Sequence, residues 1–288
     1  MSKVRDVWSN LVLTLRKHNL PGASREARFL LSGVLSASPS HIYLYWDQDL
    51  SVEKIEKLNI MIKERLDGVP LQYILKEWEF FSLQFYLEKG VFIPRLDTES
   101  WLEEAIITIR SRYENQPVKL CDLCCGSGVI GLTVAYWLTK VQVVAIDRSK
   151  LACDLTQHNA QKLGLEERIS VWQSDLFNEI QTTDELQFDF ILSNPPYVKE
   201  EEWNTLSPEI RLHEPKDALV SGSEGLDLIY RILNESSPYL KSQGYLYIEH
   251  DPSQVEAIAD LSLKTHFKKD HVIFDYQKRP RATVFRRK

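Results

Sequence analysis

The sequence predicts an α/β protein with a mostly parallel sheet, preceded by a small all-α bundle and a β-hairpin linker. Beyond Pro117, apolar runs typical of strands alternate with helical patterns, which indicates βαβ units and a parallel sheet covered on both faces. The last two apolar runs stand too close together for a crossover helix, so they are expected to pair antiparallel. We therefore expect seven strands, the final one antiparallel, in a domain over 97–288.

The first 75 residues have the pattern of helices. Apolar residues recur at helical spacing over 4–15, and Pro21-Gly22 ends this segment. Ser24 is predicted to cap a second helix, and a third is predicted to begin at Ser51, which is followed by Glu53 and Glu56. We expect at least three helices, or five with short ones, in a bundle over 1–75. Because it carries no cluster of catalytic residue types, its predicted role is docking or recognition.

Two β-like runs, 80–86 and 91–93, follow the helical region. They are separated by Lys89-Gly90, which predicts a hairpin turning there and a linker over 76–96. Asp97 is predicted to cap the helix that comes next.

Five apolar runs are predicted to form the parallel strands, and two later runs the antiparallel pair. The runs span 118–124, 141–146, 169–172, 188–192 and 245–248, followed by 272–276 and 283–285. In open α/β sheets, ligands bind outside the carboxyl ends of the strands. Polar residues that directly follow these runs are therefore the candidate functional residues.

Composition and charge are those of an ordinary globular protein. The 288 residues are 43% hydrophobic and 26% charged, with a formal net charge of −6. A surface that coats nucleic acid would be basic, and the basic stretch 278–288 is better explained as a solvated last strand. With no apolar leader and no run near about 18 apolar residues, we expect no signal peptide and no membrane span.

Four cysteines, Cys121, Cys124, Cys125 and Cys153, are crowded rather than spread as in a disulfide framework. No second cysteine pair or histidine cluster has the spacing to complete a zinc site, so no metal is expected. Cys121 lies inside a predicted strand, whereas a redox dithiol would sit at a helix start. Buried small side chains in a reducing cytoplasm are the simplest interpretation.

A glycine-rich turn follows the first strand of the sheet. Gly126 and Gly128 allow positive φ and close approach of a ligand, and Asp147 at the next strand end suits ribose hydroxyls. With Gly131, the turn formally matches G-x-G-x-x-G, so NAD stays open on this motif alone. Asp122 before the turn, and the lack of an acid/base pair for hydride transfer, favour S-adenosylmethionine, with Asp122 near the cationic end of its methionine moiety.

Asp175 follows the third strand of the domain. It is predicted to contact the exocyclic amine of adenine, with Leu176 and Phe177 as an apolar wall. A capping role for Asp175 is the alternative.

The tetrapeptide Asn194-Pro195-Pro196-Tyr197 follows the 188–192 run. The two prolines stiffen the turn and leave carbonyl groups free, the Asn amide accepts and donates, and the Tyr ring stacks on planar groups. The segment therefore suits a flat substrate that bears N–H groups, such as an amide or an exocyclic amine.

With these motifs the chain resembles the class I S-adenosylmethionine-dependent methyltransferases, and more narrowly the release factor glutamine methyltransferases (the HemK/PrmC family). The resemblance spans nearly the whole chain. Besides the motifs above it is carried by residues 68–74, 77–81, 93–99, 214–215 and 248–250. It implies a Rossmann-like sheet, and transfer of a methyl group from S-adenosylmethionine to the side-chain amide nitrogen (N5) of a glutamine. That glutamine lies in the Gly-Gly-Gln motif of class I peptide chain release factors, the implied protein partners.

The resemblance also implies roles for residues of this chain. Asn194, Pro195, Pro196 and Tyr197 would hold the glutamine. Cys124 to Gly128, Asp147, Leu176 and Asn194 would line the cofactor. With Asp122 and Asp175, which were assigned above without the resemblance, the predicted cofactor-binding residues are Asp122, Cys124, Cys125, Gly126, Ser127, Gly128, Asp147, Asp175, Leu176 and Asn194. Two residues depart from the family pattern. Cys124 stands where Gly is common and is expected to crowd the methionine moiety, and Leu96 replaces a usual Pro.

Other functions stay open at this stage. They are a ribosomal-protein glutamine methyltransferase, an adenine-N6 nucleic-acid methyltransferase, and a non-catalytic binding protein that has lost cofactor affinity through Cys124. The acidic balance opposes nucleic-acid binding, and intact Asp147 and Asn194 oppose the non-catalytic alternative. We expect a cytoplasmic monomer that binds neither membrane nor nucleic acid directly. Glu214 and the acidic residues 200–202 either guide substrate or solvate a lid.

Overall fold

The computed structural model describes residues 2–114, 116–180 and 187–288, which form two compact units. The first unit consists of residues up to Glu77 together with Pro208–His213, and the second of Trp78–Ser207 and Glu214–Lys288. The ranges 1–75 and 97–288 predicted from the sequence include residues 1, 115 and 181–186, which lie outside the described residues.

The first unit is helical, as predicted. Its helices are α1 (Val4–Lys17), α2 (Ala23–Leu35), α3 (Val52–Leu66) and α4 (Leu71–Leu75), with a 3₁₀ helix over Pro39–Tyr45 and a small antiparallel pair of strands, β1 (Ser2–Lys3) and β2 (Asp49–Leu50). The third helix begins where it was predicted, and the Ser51 hydroxyl caps it by accepting a hydrogen bond from the Lys54 N–H. The cap predicted at Ser24 is wrong. Gly22, at φ 69°, is the N-cap of α2, and its carbonyl accepts the first helical hydrogen bonds.

A buried ion pair joins α2 and α3. Arg65 is 3% exposed and Glu26 7% exposed. The Arg65 guanidinium donates to both Glu26 oxygens at 2.7 and 2.9 Å, to the Val69 carbonyl at 3.1 Å, and to Glu209 of the segment Pro208–His213 at 3.1 Å. The bidentate geometry satisfies the fork of the guanidinium, so neither charge is left alone in the interior.

The linker hairpin exists, but its turn is not where the sequence predicted it. Strands β3 (Glu77–Phe80) and β4 (Leu83–Tyr86) are joined by Phe81 and Ser82, at φ 50° and 62°, and residues 91–93 form no strand. Two consecutive positive φ angles are typical of the type I′ turn that closes two-residue hairpins. Neither residue is Gly or Asn, so the turn had no sequence signal. A hydrogen bond from the Phe81 N–H to Glu99 stabilises it instead.

The second unit contains the predicted seven-stranded sheet, in the order β10-β11-β9-β8-β5-β6-β7. Strands β9, β8, β5, β6 and β7 are parallel, and β11 is antiparallel to both of its neighbours. The strands are β5 (Val118–Leu123), β6 (Val141–Asp147), β7 (Ile169–Gln173), β8 (Phe188–Ser193), β9 (Leu240–Glu249), β10 (Phe267–Phe274) and β11 (Pro280–Arg287). The seven-stranded, mostly parallel sheet with an antiparallel final strand is thus confirmed.

Helices cover both faces of this sheet. They are α5 (Leu96–Tyr113), α6 (Val129–Trp137), α7 (Lys150–Leu163), α9 (Asp227–Glu235) and α10 (Val255–Ser262), whereas α8 (Pro208–His213) belongs to the first unit. Two apolar cores result. One packs α5 and α6 against residues such as Leu120 of β5, and the other packs α9 and α10 against Cys121 and its neighbours. Among the described residues, no helix has the length and apolar character required to cross a bilayer.

The cap predicted at Asp97 is also wrong. Helix α5 begins at Leu96 with Arg95 as its N-cap residue, so Asp97 lies in the first turn. Its carboxylate pairs with Arg281 at 2.7 Å and Arg279 at 3.5 Å, and this contact with the last strand replaces the capping role.

The ion pair of the first unit gives a stability prediction. Replacing Arg65 by Met should lower the free energy of unfolding of residues 2–77 by about 3–5 kcal/mol, because the Glu26 carboxylate is left buried and unpaired. The measurement is hydrogen exchange of these residues under increasing urea. The double variant Glu26→Leu, Arg65→Met should recover most of the loss, and a double variant as unstable as the single one would contradict this account.

Candidate functional site

The functional site is a cavity at the carboxyl ends of the parallel strands in the second unit. Register places these ends side by side, because Leu123 of β5 pairs with Ile146 of β6 on one side and with Ser193 of β8 on the other. Among the residues predicted from the sequence, the cavity is lined by Cys124, Cys125, Gly126, Ser127, Asp147, Asp175, Leu176, Asn194, Pro195, Pro196 and Tyr197. Asp122 and Gly128 lie outside this lining.

The glycine-rich turn leaves β5 in a conformation that side chains rarely adopt. Cys124, Gly126 and Gly128 have φ of 63°, 57° and 79°. A Cβ on Gly128 would lie 2.7 Å from the Thr156 side chain, so this position requires glycine. The Thr156 hydroxyl donates to the Gly126 carbonyl and holds the turn closed. The left-handed backbone at Cys124 explains why a Gly would fit there.

Asp147 connects the turn to the end of β6. Its Oδ2 accepts the Gly126 N–H and its Oδ1 accepts the Ser149 N–H, both at 2.9 Å. Burial raises the pKa of Asp147, and the two backbone N–H groups oppose that shift. A carboxylate has about four acceptor positions, so two remain for hydroxyl groups of a ligand in the cavity.

Asp122 is buried beneath α6 rather than at the cavity wall. Its Oδ2 accepts the Gly131 N–H at 2.8 Å, and its Oδ1 has no hydrogen-bond partner among the described residues. Side chains alternate along a strand, so Asp122 points to the opposite face from Cys121 and Leu123. Burial raises the pKa of Asp122 to about 7. The structure therefore does not bring this predicted residue to the cavity.

Asp175 and Leu176 lie at the cavity after β7. Arg231 donates to both oxygens of Asp175, at 3.0 and 3.1 Å. Leu176 is buried at φ 54°, and Phe177 stacks on Tyr239 with ring centroids 4.1 Å apart. Leu176 lines the cavity and Phe177 does not. The apolar wall for adenine and the contact of Asp175 with the adenine amine stay predictions.

Side chains from neighbouring elements hold the Asn-Pro-Pro-Tyr segment. Gln254 Nε2 donates to the Tyr197 carbonyl at 3.0 Å. A Cβ on Gly225 would lie 2.0 Å from that carbonyl oxygen, so only glycine permits this close approach. The Tyr197 hydroxyl donates to Glu249 at 3.3 Å, and Asn194 Nδ2 donates to Thr98 at 3.5 Å. Burial, together with the neighbouring Glu249 carboxylate, raises the pKa of Tyr197, so the phenol stays protonated.

Glu214 serves neither of the two roles that the sequence left open. It is 5% exposed. Its carboxylate accepts Arg95 Nη2 at 2.6 Å and the Ile93 N–H at 3.1 Å, so it fixes the backbone before α5. The Arg95 guanidinium lies over the Phe92 ring, 4.8 Å from its centroid, and both residues line the cavity. Glu214 is thus an anchor of the cavity wall.

Sequence reasoning missed other residues that support the site. Asn159 of α7 accepts the Tyr86 N–H at 2.7 Å and donates to the Tyr86 and Ser127 carbonyls, which ties the hairpin to the glycine-rich turn. Thr98 and Glu249 lie behind the Asn-Pro-Pro-Tyr segment. The carboxylate at the end of the apolar strand 245–248 was a signal for Glu249, whereas nothing in the sequence marked Asn159.

The chain matches two protein-family models, the PrmC N-terminal domain over residues 6–75 and the Methyltransferase small domain over residues 85–225. It is 36% identical over 241 residues to the release factor glutamine methyltransferase of Borreliella burgdorferi, with 84% of this chain and 77% of the relative aligned. It is 32% identical to that of Escherichia coli, with 91% of each chain aligned.

The solved structures include a similar fold in the 16S rRNA methyltransferase RsmC of T. thermophilus, in complex with AdoMet and guanosine. The TM-score is 0.52 at 16% identity, over 74% of this chain and 50% of that one.

The buried carboxyl of Asp122 gives a pH-dependent prediction. Its pKa in the folded protein, about 7, lies above the ordinary 3.8, so the folded state holds a proton that the unfolded state releases between these values. Stability from this group therefore falls as pH rises from about 4 to about 7. An Asn side chain does not titrate in this range. The melting temperature of Asp122→Asn minus that of the wild type should therefore increase between pH 5 and pH 8. The exposed Asp260→Asn is the matched control, and a pH-independent difference for Asp122→Asn would contradict the assignment.

Proposed function

The chain belongs to the release factor glutamine methyltransferases, and from this premise we propose the reaction that it catalyses. It transfers a methyl group from S-adenosylmethionine to the side-chain amide nitrogen (N5) of the glutamine in the Gly-Gly-Gln motif of class I peptide chain release factors. One observation supports this most strongly: the Asn-Pro-Pro-Tyr segment, the glycine-rich turn and Asp147 line the same cavity. Release factors are the proposed protein partners, and the monomeric state and the lack of direct nucleic-acid binding remain predictions.

The residues present fit the proposed cofactor. The spare acceptor positions of Asp147 suit the two ribose hydroxyls, the Leu176 side chain suits the adenine face, and the turn from Cys124 to Gly128 suits the methionine moiety. When bound, S-adenosylmethionine supplies an electrophilic methyl group on a positively charged sulfur. Burial raises the pKa of the Cys124 thiol, so this side chain stays uncharged beside the methionine moiety.

The amide nitrogen of glutamine is a poor nucleophile, because its lone pair is delocalised into the carbonyl. Among the described residues that line the cavity there is no histidine and no lysine, so no strong base is positioned to deprotonate an amide. The protein is left with positioning and electrostatic stabilisation. Asn194 Oδ1 and the Pro195 carbonyl accept the two amide hydrogens, and Tyr197 packs against the amide plane. These hydrogen bonds strengthen as the nitrogen gains positive charge.

The test of this function is label transfer. The purified protein is incubated with methyl-labelled S-adenosylmethionine and a class I release factor, with a variant that carries Gly-Gly-Ala alongside. We expect label on the first protein and none on the second. Label on both, or label only on ribosomal proteins or DNA offered in parallel, would refute the proposed acceptor.

Asn194→Ala should lower kcat by about 10²–10³-fold, the loss expected for one preorganised partner of the transition state. The affinity for S-adenosylmethionine, measured by calorimetry, should change far less. The exposed Asn234, whose side chain donates to the Tyr230 carbonyl, provides the control variant Asn234→Ala. Near-normal turnover of Asn194→Ala would contradict the role of this residue.

Asp147→Asn should weaken the binding of S-adenosylmethionine by about 10- to 100-fold, because charged hydrogen bonds contribute about 1.5–3 kcal/mol. Calorimetry measures this directly. Asp154→Asn on the exposed face of α7 is the control, since Asp154 is exposed and pairs with Lys150. Equal affinities of the wild type and Asp147→Asn would exclude the ribose contact.

A further inference from the structure

Glu249 carries a buried carboxylate that contacts the Asn-Pro-Pro-Tyr segment from behind. It is 1% exposed and ends β9. Its Oε2 accepts the Thr98 hydroxyl at 2.7 Å and the Trp101 indole N–H at 2.6 Å, and its Oε1 accepts the Tyr197 hydroxyl at 3.3 Å. Glu249 does not line the cavity, whereas Thr98 and Tyr197 do. Any effect of Glu249 on a substrate must therefore pass through these two residues.

The direction of each hydrogen bond follows from the chemistry of the groups. An ionised carboxylate only accepts, and an indole N–H only donates. The single hydrogen of the Thr98 hydroxyl is therefore committed to Glu249, and only its lone pairs remain for Asn194. The amide of Asn194 must present Nδ2 to Thr98, as the 3.5 Å contact has it. Its Oδ1 is then the atom left to face the cavity.

We propose that Glu249 is a positioning residue that, through Thr98, fixes which end of the Asn194 amide meets the substrate. This inference rests on the proposed function, in which Oδ1 accepts an N–H of the glutamine. In the opposite orientation, the Asn194 NH₂ would face the NH₂ of the glutamine, so two donors would oppose each other. The hydrogen bond that aims the nucleophile would be lost. Glu249 also holds the Tyr197 ring by its hydroxyl.

Three side-chain donors and one nearby positive charge surround the Glu249 carboxyl. Burial raises its pKa, while the donors Trp101, Thr98 and Tyr197 and the nearby Arg281 charge oppose the shift. A purely structural role is the competing explanation, because the same contacts join α5 to β9. The two explanations differ in what happens when only the Thr98 hydroxyl is removed.

The decisive variant is Thr98→Val, which keeps the volume and the methyl group but removes the hydroxyl. We expect kcat for release-factor methylation to fall about 10- to 100-fold, as for the loss of a hydrogen bond of a charged network. The KM for the release factor and the Kd for S-adenosylmethionine should stay within about threefold of the wild type, as expected when an interaction is lost only in the transition state. Thr98→Ser, which restores the hydroxyl, should recover kcat.

Helix α5 offers a matched control. The Thr108 hydroxyl also donates to a glutamate, Glu104, at 3.2 Å. Thr108→Val removes the same kind of bond from the same helix and should leave kcat unchanged. Glu249→Gln should lower kcat less than Thr98→Val does, because the Trp101 N–H only donates and so keeps the Gln oxygen where Oε2 accepts the Thr98 hydroxyl, while the NH₂ faces Tyr197. If Glu249→Gln does not fold, Thr98→Val decides alone, with its fold verified by thermal unfolding.

A double-mutant cycle tests whether Thr98 acts through Asn194. If it does, adding Thr98→Val to Asn194→Ala should lower kcat no further. Additive losses, a normal kcat in Thr98→Val, or losses shared by Thr98→Ser or Thr108→Val would overturn the inference. A wild type that labels Gly-Gly-Gln, together with an inactive Asn194→Ala and a normal Thr98→Val, would overturn only this inference. A wild type that never labels Gly-Gly-Gln would refute the proposed function, and the inference with it.

Discussion

The site depends on the parallel register of five strands, which brings five carboxyl ends to one edge of the sheet. Leu123 pairs with residues of both β6 and β8, so the glycine-rich turn that follows it lies between Asp147 and the Asn-Pro-Pro-Tyr segment. The strand order reverses at β5, and the chain diverges to either side of it, which opens a crevice there. A slip of one residue in either pairing would turn the buried side chains of β5 to the opposite face and separate these groups.

The backbone alone cannot hold the segment that follows β8, because Pro195 and Pro196 have no N–H to donate. Side chains supply the missing constraints. Gln254 binds the Tyr197 carbonyl, Glu249 binds the Tyr197 hydroxyl, and Gly225 lets the chain pass within van der Waals distance of that carbonyl. The rigidity of the segment is thus a tertiary property. It comes from β9, α5 and the segments around Gly225 and Gln254, which are distant in sequence and meet only in the folded protein.

The sequence was sufficient for the sheet, because long apolar runs and helical periods are strong and consistent signals. It also located the strand ends that carry Asp147, Asp175 and Asn194. It was insufficient where tertiary contacts override local preference. The hairpin turns at Phe81 and Ser82 although neither residue favours positive φ, and Asp97 pairs with arginines near the last strand instead of capping α5. Asp122 and Glu249 are both acids near strand ends. Only the alternation of side chains along the folded strands decides that Asp122 lies under α6 and Glu249 behind the Asn-Pro-Pro-Tyr segment.

The charges around the cavity favour methyl transfer to a neutral amide. In the proposed reaction, Asn194 Oδ1 and the Pro195 carbonyl face the amide nitrogen as dipoles while it gains positive charge. In its ionised form Glu249, which is buried behind Thr98 and Tyr197, would add a negative charge that is shielded from water. A buried charge acts over a longer distance than an exposed one, because little solvent screens it. In its ionised form, the carboxylate proposed to orient the Asn194 amide would also stabilise the charge that develops in front of it. An uncharged Gln at position 249 would lose this charge but keep an oxygen for the Thr98 hydroxyl, whereas removing the Thr98 hydroxyl would lose only the orientation of the Asn194 amide.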